Sequence, residues 1–454
     1  MDVLRGMRWL ALCLAGMLVV LAVVWLASRL RGAPPGQRAA LATMQATWIP
    51  PGRNAFDAVW LLRWDVPEAP RAAIVARDMS ALQARPAWPT GSNEPFVSSA
   101  AAGYADLRPV QATVAPCGAR EDGCLARVRA DLPAYAALVE ANATLIARIG
   151  ALAQYDHYRS KLPPRLDAPL PELGHAGLAI TAHAVHFAQG RYDLALDGVC
   201  RDIATWRRLG VHSDSLVVRM LGIALATDGH GRLLADMLQV LPRDHALPGA
   251  CAAALAAPSS GEADLCPAMR GEFAWASPIT RLLADPATPA DERPSTLLFD
   301  VDATLALQAA NMADACSEAT RVALASDLPA PLPAPRRSVW LRLECAANAV
   351  GCILGDIAAP DYIEYQHRAQ DQNARLQLLA TLAWLRDTAG DGARDAMPAE
   401  RIAHRPAALR SPARDIEVAA DGRAIRIAQY ATARGAYWQL PLPDYLVDAS
   451  PPAD

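Results

Sequence analysis

The sequence predicts a mainly α-helical protein carried on one N-terminal transmembrane helix, with a helical-hairpin body and a small β-hairpin near its C-terminus. Three observations lead there. Trp9 to Ser28 is an uncharged, apolar run of membrane-spanning length. Apolar residues recur at helical spacing through much of the chain. The convincing strand pattern comes last, as two alternating runs around Asp421-Gly422.

At 454 residues, 53% hydrophobic and 20% charged, the chain can bury a sizeable core, and disordered, collagen-like and small disulfide-knot classes are excluded. A net charge of −4 gives no basic stripe for nucleic acid. Lys161 is the only lysine among 43 basic residues, a bias that resembles GC-rich bacterial genomes and carries no chemistry.

In chain order, residues 1–8 form a short leading segment and 9–28 the anchor. The anchor covers ~30 Å at about 1.5 Å per residue, the thickness of a hydrocarbon core. Arg5 and Arg8 precede it, Arg29 and Arg31 follow it, and Trp9 and Trp25 lie near its ends. A cleaved signal would have an apolar region of about 7–15 residues and a small-residue site. This run is longer and passes directly into Arg29, so an uncleaved anchor contacting the lipid bilayer is expected. Residues 29–38 read as a stalk and 39–327 as a helical body with proline-rich loops. Within that body 126–158 and 172–241 have helical spacing, and one long helix is expected over 297–325. Residues 328–337 (LPAPLPAPRR) are too rich in proline for a helix. Residues 338–454 are expected to hold two helices, about 339–357 and 361–388, before the hairpin. Tyr437 to Leu442 is a candidate third strand.

Within 183–209, the segment Gly190-x-Tyr192-x-x-Ala195-Leu196 resembles the turn of a tetratricopeptide repeat, covering residues 174–209 without a second copy in register. The resemblance implies a helical hairpin in which Ala195 lets two helices approach. Residues 348–386 resemble a segment of membrane-anchored bacterial proteins of unassigned activity, in which a similar helix precedes a small β-hairpin. That resemblance implies shared local fold and no activity, and residues 389–413 depart from it.

No coherent catalytic, cofactor or metal set emerges. His183 and His186 form an H-x-x-H pair on one helical face, with His175 at nearly the same angle, but a third ligand of known position is missing. His212 to Ser215 brings triad residue types together, but neighbours in sequence cannot form a triad, and Ser213 or Asp214 is expected to cap the helix after them. Asp300 and Asp302 suit a helix N-terminal turn. Glu364, His367, Arg368 and Asp371 read as a solvated, ion-paired face.

Cys13 lies in the anchor. The remaining eight, an even number, suit an oxidising compartment. Arginine counts beside the anchor favour a cytoplasmic body, yet long domains translocate largely regardless of such charges, and the cysteines favour a periplasmic one. Cys117 with Cys124 and Cys251 with Cys266 are the expected short closures. Cys345 and Cys352, ~10.5 Å apart on a continuous helix, are expected each to pair with Cys200 or Cys316. The function expected is an anchored, non-enzymatic envelope scaffold whose helical hairpins bind a protein or peptide. The alternative is an envelope hydrolase assembled from distant segments.

Overall fold

The computed structural model describes residues 2–86, 94–110, 113–165, 167–286, 288–289, 291, 293–332, 338–358, 362–389, 397–431, 433 and 435–447. Half of the expected proline-rich linker, 333–337, lies outside them. The fold is mainly α-helical, with one three-stranded antiparallel sheet near the C-terminus. The chain forms two units, each from three segments. The first comprises Met1–Thr47, Met269–Ser317 and Leu332–Ile363; the second comprises Trp48–Ala268, Glu318–Pro331 and Glu364–Asp454. One division, between Pro331 and Leu332, falls inside the expected linker 328–337, yet neither unit is one continuous span of chain. Proline there forbids a helix, but which helices share a core is decided by apolar faces far apart in sequence.

The first unit holds the N-terminal helix Asp2–Arg31, the one described helix that is long and apolar enough by itself to cross a membrane. Its residues 5–24 are exposed. Its last turns are gripped. Trp25 Nε1 donates to the Leu297 carbonyl at 2.6 Å, buried Ser28 accepts from the Ala347 amide at 3.0 Å, and Arg29 pairs with Asp300 at 3.0 Å. A helix Pro35–Gln45 follows after three residues, so most of the expected stalk is helical. Pro35 opens it because a first-turn residue has no amide bond to lose. This helix packs on Val301–Met312, which packs on Ala349–Ala358. Asp300 caps Val301–Met312 through the Ala303 amide at 3.0 Å, and Asp302 sits in its first turn. The single long helix expected over 297–325 is broken by a 3-10 turn at Ala313–Cys316.

Cys345 and Cys352 are bonded to each other, with Cα atoms 5.8 Å apart. The expectation that helix geometry forbids this fails because Cys345 ends a 3-10 turn, Leu343–Cys345, and the helix begins only at Ala349.

The second unit is built around the helix Tyr362–Asp387, buried on nearly all sides. The expected solvated face is wrong for Asp371, which is wholly buried. Only its first turn behaves as expected, with Glu364 and Arg368 paired at 3.4 Å. The Asp371 carboxylate accepts from Arg414 Nη1 at 2.7 Å and from the Tyr430 and Ala431 amides at 2.9 Å each. Arg414 also holds Asp327, with Nε to Oδ2 at 3.0 Å.

Strands β1 (Ile416–Val418), β2 (Ala424–Ala428) and β3 (Tyr437–Pro441) form an antiparallel meander in that order. The candidate third strand is thus present. Ile416, Ile427 and Trp438 align across one face, as do Ile425 and Leu440 beside them, and these five are buried. Glu417, Arg426 and Gln439 align on the opposite face.

Cys117 pairs with Cys124 and Cys200 with Cys251. The expected Cys251–Cys266 closure is therefore wrong, and Cys200 pairs with neither Cys345 nor Cys352. Cys200 and Cys251 sit on packed helices, Tyr192–Val211 and Ala250–Ala254, and that packing selects the pair. Cys266 and Cys316 are oxidised too, while Cys13 is a free, exposed thiol on the N-terminal helix. On chain entropy alone, a loop closed over a separation of 7 contributes about 2 kcal/mol and one over 51 about 4 kcal/mol. Disulfides of this kind suit an oxidising compartment.

Replacing Arg414 with methionine would leave the buried Asp371 and Asp327 carboxylates without their shared cation. We expect a loss of about 3–5 kcal/mol, read as a lowered urea midpoint of the detergent-solubilised full chain. An unchanged midpoint would show that this network does not hold the second unit together.

Candidate functional site

Two features of the second unit have functional geometry. The first starts from an unusually apolar helix, Leu178–Ala188, in which every residue except His186 and Ala188 is buried. Gly190, at φ +77°, ends the turn after it, and the chain returns as Tyr192–Val211 with Ala195 fully buried between the helices. The expected helical hairpin is present, with the facing sides of its two helices buried in the core and Leu194 exposed just after its turn.

That burial turns His183 inward. A Cβ at Gly198 on the return helix would lie 2.5 Å from His183 Cε1, so only glycine leaves room for that ring. One turn further on, Asp202 presents its carboxylate, with Oδ2 2.8 Å from His183 Nε2. The third member arrives by a different device. The helix Leu216–Ile223 widens into a π turn, Ala224–Gly229, before the helix His230–Val240 begins. Such turns displace a helix face by one residue. Here the displacement delivers His230, fully buried, with Nε2 3.9 Å from Asp202 Oδ2 and its ring 5.6 Å from that of His183. A Cβ at Gly229 would lie 2.6 Å from Ile180 Cδ1, so glycine lets the turn approach that side chain without displacing it.

Burial raises the Asp202 carboxyl, but the hydrogen bond and charge of His183, with His230 beyond it, outweigh that and hold it below its ordinary value. Burial pushes His230 down to about 4, against the pull of Asp202. His186 is likewise lowered to about 4, by burial first and by Arg191 and His183 next. Neither ring nitrogen of His230, nor Nδ1 of His183, has a hydrogen-bond partner.

His183, Asp202 and His230 are therefore the group that could hold a metal: their donor atoms all lie within 4.8 Å of one another. Of the sequence candidates, His183 belongs to it and His186 and His175 do not; His175 lies 3.7 Å from Glu172. Asp202 and His230 were not legible as partners, being on separate helices. One local signal was present: His230 stands between two glycines in Asp228-Gly229-His230-Gly231, an unusual setting within a helical stretch. Near the rejected triad, Ser215 rather than Ser213 or Asp214 caps the following helix, accepting from the Val218 amide at 3.5 Å. Ser213 binds the Ser215 amide and Asp214 the Ser160 amide, which commits both elsewhere.

The second feature is a cleft of about 490 Å³. Val59, Trp60, Trp64 and Phe96 form its apolar wall, and Pro95, Pro169 and Pro171 its margins. Trp60 Nε1 donates to buried Asp78 at 2.8 Å, and Asp78 also accepts from Ser98 Oγ at 2.5 Å and the Ser99 amide at 2.8 Å. One carboxylate thus fixes both wall and rim. Arg63 bridges Asp106 and Glu172, at 2.8 and 2.9 Å, and lies 4.8 Å above the Trp64 ring. Arg165 ties Asp167 to the Pro86 carbonyl, each at 2.8 Å. Val97 and Leu170 stand on the rim with roughly two-thirds of their surface in water. The sequence concealed this cleft because its wall, from Val59 to Trp64, and its margins, around Pro95 and Pro169, come from segments far apart in the chain.

The histidine shifts fix an acid response. His230 is neutral in the fold and protonates near 6.5 once unfolded, so its contribution is complete above pH 6.5 and is lost as pH falls toward 4. The loss over that window is of order 3 kcal/mol. Urea midpoints of the full chain, measured in chelator from pH 7 to 4.5, should fall, and His230→Asn should flatten the fall. A midpoint independent of pH in wild type would contradict the buried neutral imidazole.

No protein-family model, curated protein or solved structure matches the chain, so its function is to be read from its own geometry.

Proposed function

We propose that the chain is a single-pass bacterial inner-membrane protein with a periplasmic body, acting as a scaffold whose cleft receives an extended apolar segment of a protein partner. The cleft carries this reading: Val97 and Leu170 are held in water beside a wall containing Trp60, Trp64 and Phe96. Aromatic, proline-bordered grooves suit extended proline- and aliphatic-rich segments, whose backbone is already stretched. Arg63 and the paired carboxylates at the margin add polar contacts that orient a chain. This moves the expected partner surface from the hairpin at 174–209 to the cleft.

The hydrolase alternative has less support in the cleft. Arg165 holds Asp167 below its ordinary value, which leaves it ionised rather than ready to donate a proton, and Glu172 is ion-paired with Arg63.

Membrane placement is supported by the exposed apolar helix and by the surface beside its end. Leu297, whose carbonyl receives Trp25, is exposed, as are Trp340 and Leu341 on the turn before Cys345. An exposed tryptophan of this kind suits a lipid interface. Oxidised cysteines support the periplasmic side.

Two measurements test the reading. Full-length protein should stay with membranes after carbonate washing, and its body should be cleaved by protease only when the outer membrane is opened. Cleavage confined to lysed cells would place the body in the cytoplasm. Against an array of extended proline- and aliphatic-rich peptides, Val97→Asp and Leu170→Asp should weaken binding at least tenfold, or about 1.4 kcal/mol, with an unchanged melting temperature. Binding unaffected by both substitutions would remove the cleft as the partner site.

A further inference from the structure

We infer that His183, Asp202 and His230 form a binding site for one divalent transition-metal ion of the zinc class. The site is independent of the partner-binding cleft, shares no residue with it, and holds whether or not a peptide binds there.

The donor set comes first. Two imidazoles and one carboxylate are ligands that suit zinc and its late first-row neighbours, and three protein donors with one position left open is a familiar zinc arrangement. The spacing fits as well. Ligands about 2.1 Å from a tetrahedral ion stand roughly 3.4 Å apart. The carboxylate oxygen here lies 2.8 and 3.9 Å from the two imidazole nitrogens, and all three donor atoms fall within 4.8 Å of one another. The two carboxylate–imidazole distances bracket that spacing, each within about 0.6 Å of it.

The second observation is the state of His230. It is fully buried, and neither ring nitrogen has a hydrogen-bond partner. Burying a polar group without a partner is costly, and folds avoid it unless something else occupies the position. His183 Nε2 already meets Asp202, so a simple His–Asp pair needs no third member. Yet the backbone is shaped to bring His230 to the same carboxylate. The π turn Ala224–Gly229 ends directly at it, and Gly229 permits the close packing that holds this turn against Ile180. Gly198 makes the corresponding space for His183. Two of the three helices are therefore locally adjusted to one point, as a preformed metal site requires and a hydrophobic core does not. Nearby charge is already settled, since Asp228 of the π turn is paired with Arg375 at 2.8 Å. Asp202 is thus the carboxylate left for the ion.

The test uses the full chain in detergent, produced without a histidine tag and stripped with chelator. Zinc added back should bind at one ion per chain by elemental analysis after desalting, and should raise the melting temperature. Cobalt(II) at the same site should give the visible absorption of a low-coordinate N/O complex, removed by one equivalent of zinc. Asp202→Asn keeps the shape of the carboxylate and should weaken zinc binding by more than about 100-fold, beyond the usual effect of an outer-shell change. His230→Gln should do the same, and the surface change His175→Gln should do nothing. Circular dichroism of each variant reports folding separately. Folded wild-type protein that takes up no stoichiometric zinc would overturn the inference, leaving a proton-sharing His–Asp–His cluster. So would folded Asp202→Asn and His230→Gln variants that bind zinc as wild type does.

Discussion

The helix Tyr362–Asp387 is enclosed by the second unit although it carries Asp371, Arg375, Arg386 and several glutamines on its buried surface. Taking each charge out of water costs several kcal/mol, so none can be enclosed before its partner is in place. The partners come from all over the unit. Asp371 meets Arg414 and the backbone after β2; Arg375 meets Asp228 and Gln429; Arg386 reaches the Pro242 and His245 carbonyls; Gln372 receives Arg219 at 2.6 Å. An apolar helix would pack in several rotations about its axis, whereas these directed bonds are satisfied together in one.

That constraint reaches the histidine cluster. Asp228, held by Arg375, stands two residues before His230, within the π turn that presents the imidazole. The same helix therefore fixes the third corner of a site to which it contributes no residue. The cleft is organised similarly on a smaller scale, with Asp78 as the one buried acceptor that wall and rim share.

What could be read from the residues follows from the range of the interactions. The long N-terminal apolar helix was legible because its residues need no partner to declare themselves. The hairpin was legible because Asp421-Gly422 sits at a turn where Gly422 has φ +70°. The helical hairpin was legible from Gly190, Tyr192 and Ala195, which act across one turn. Asp371 was misread because its partner lies 43 residues away, and spacing along a helix reports which residues share a face but not what covers that face. Cysteine pairing failed for a related reason: whether Cys345 and Cys352 meet depends on a helix starting at Ala349 rather than at Val339. His183, Asp202 and His230 lie on three helices, and what joins them is the room left by Gly198 and the π turn, neither of which has a periodic signature.

Only Gly32 to Pro34 separate the N-terminal helix from the next one, and its last turns are already bonded into the first unit. A ten-residue flexible tether would let a domain tumble within tens of ångströms of its exit point. Here the first unit has no such leash. If the helix spans a bilayer, rotation of the unit about the membrane normal becomes rotation of that helix itself, and the unit is mounted at a set height and tilt, like a lamp on a fixed bracket. Any molecule that engages it then does so within a thin layer beside the membrane, with its angle of approach already restricted.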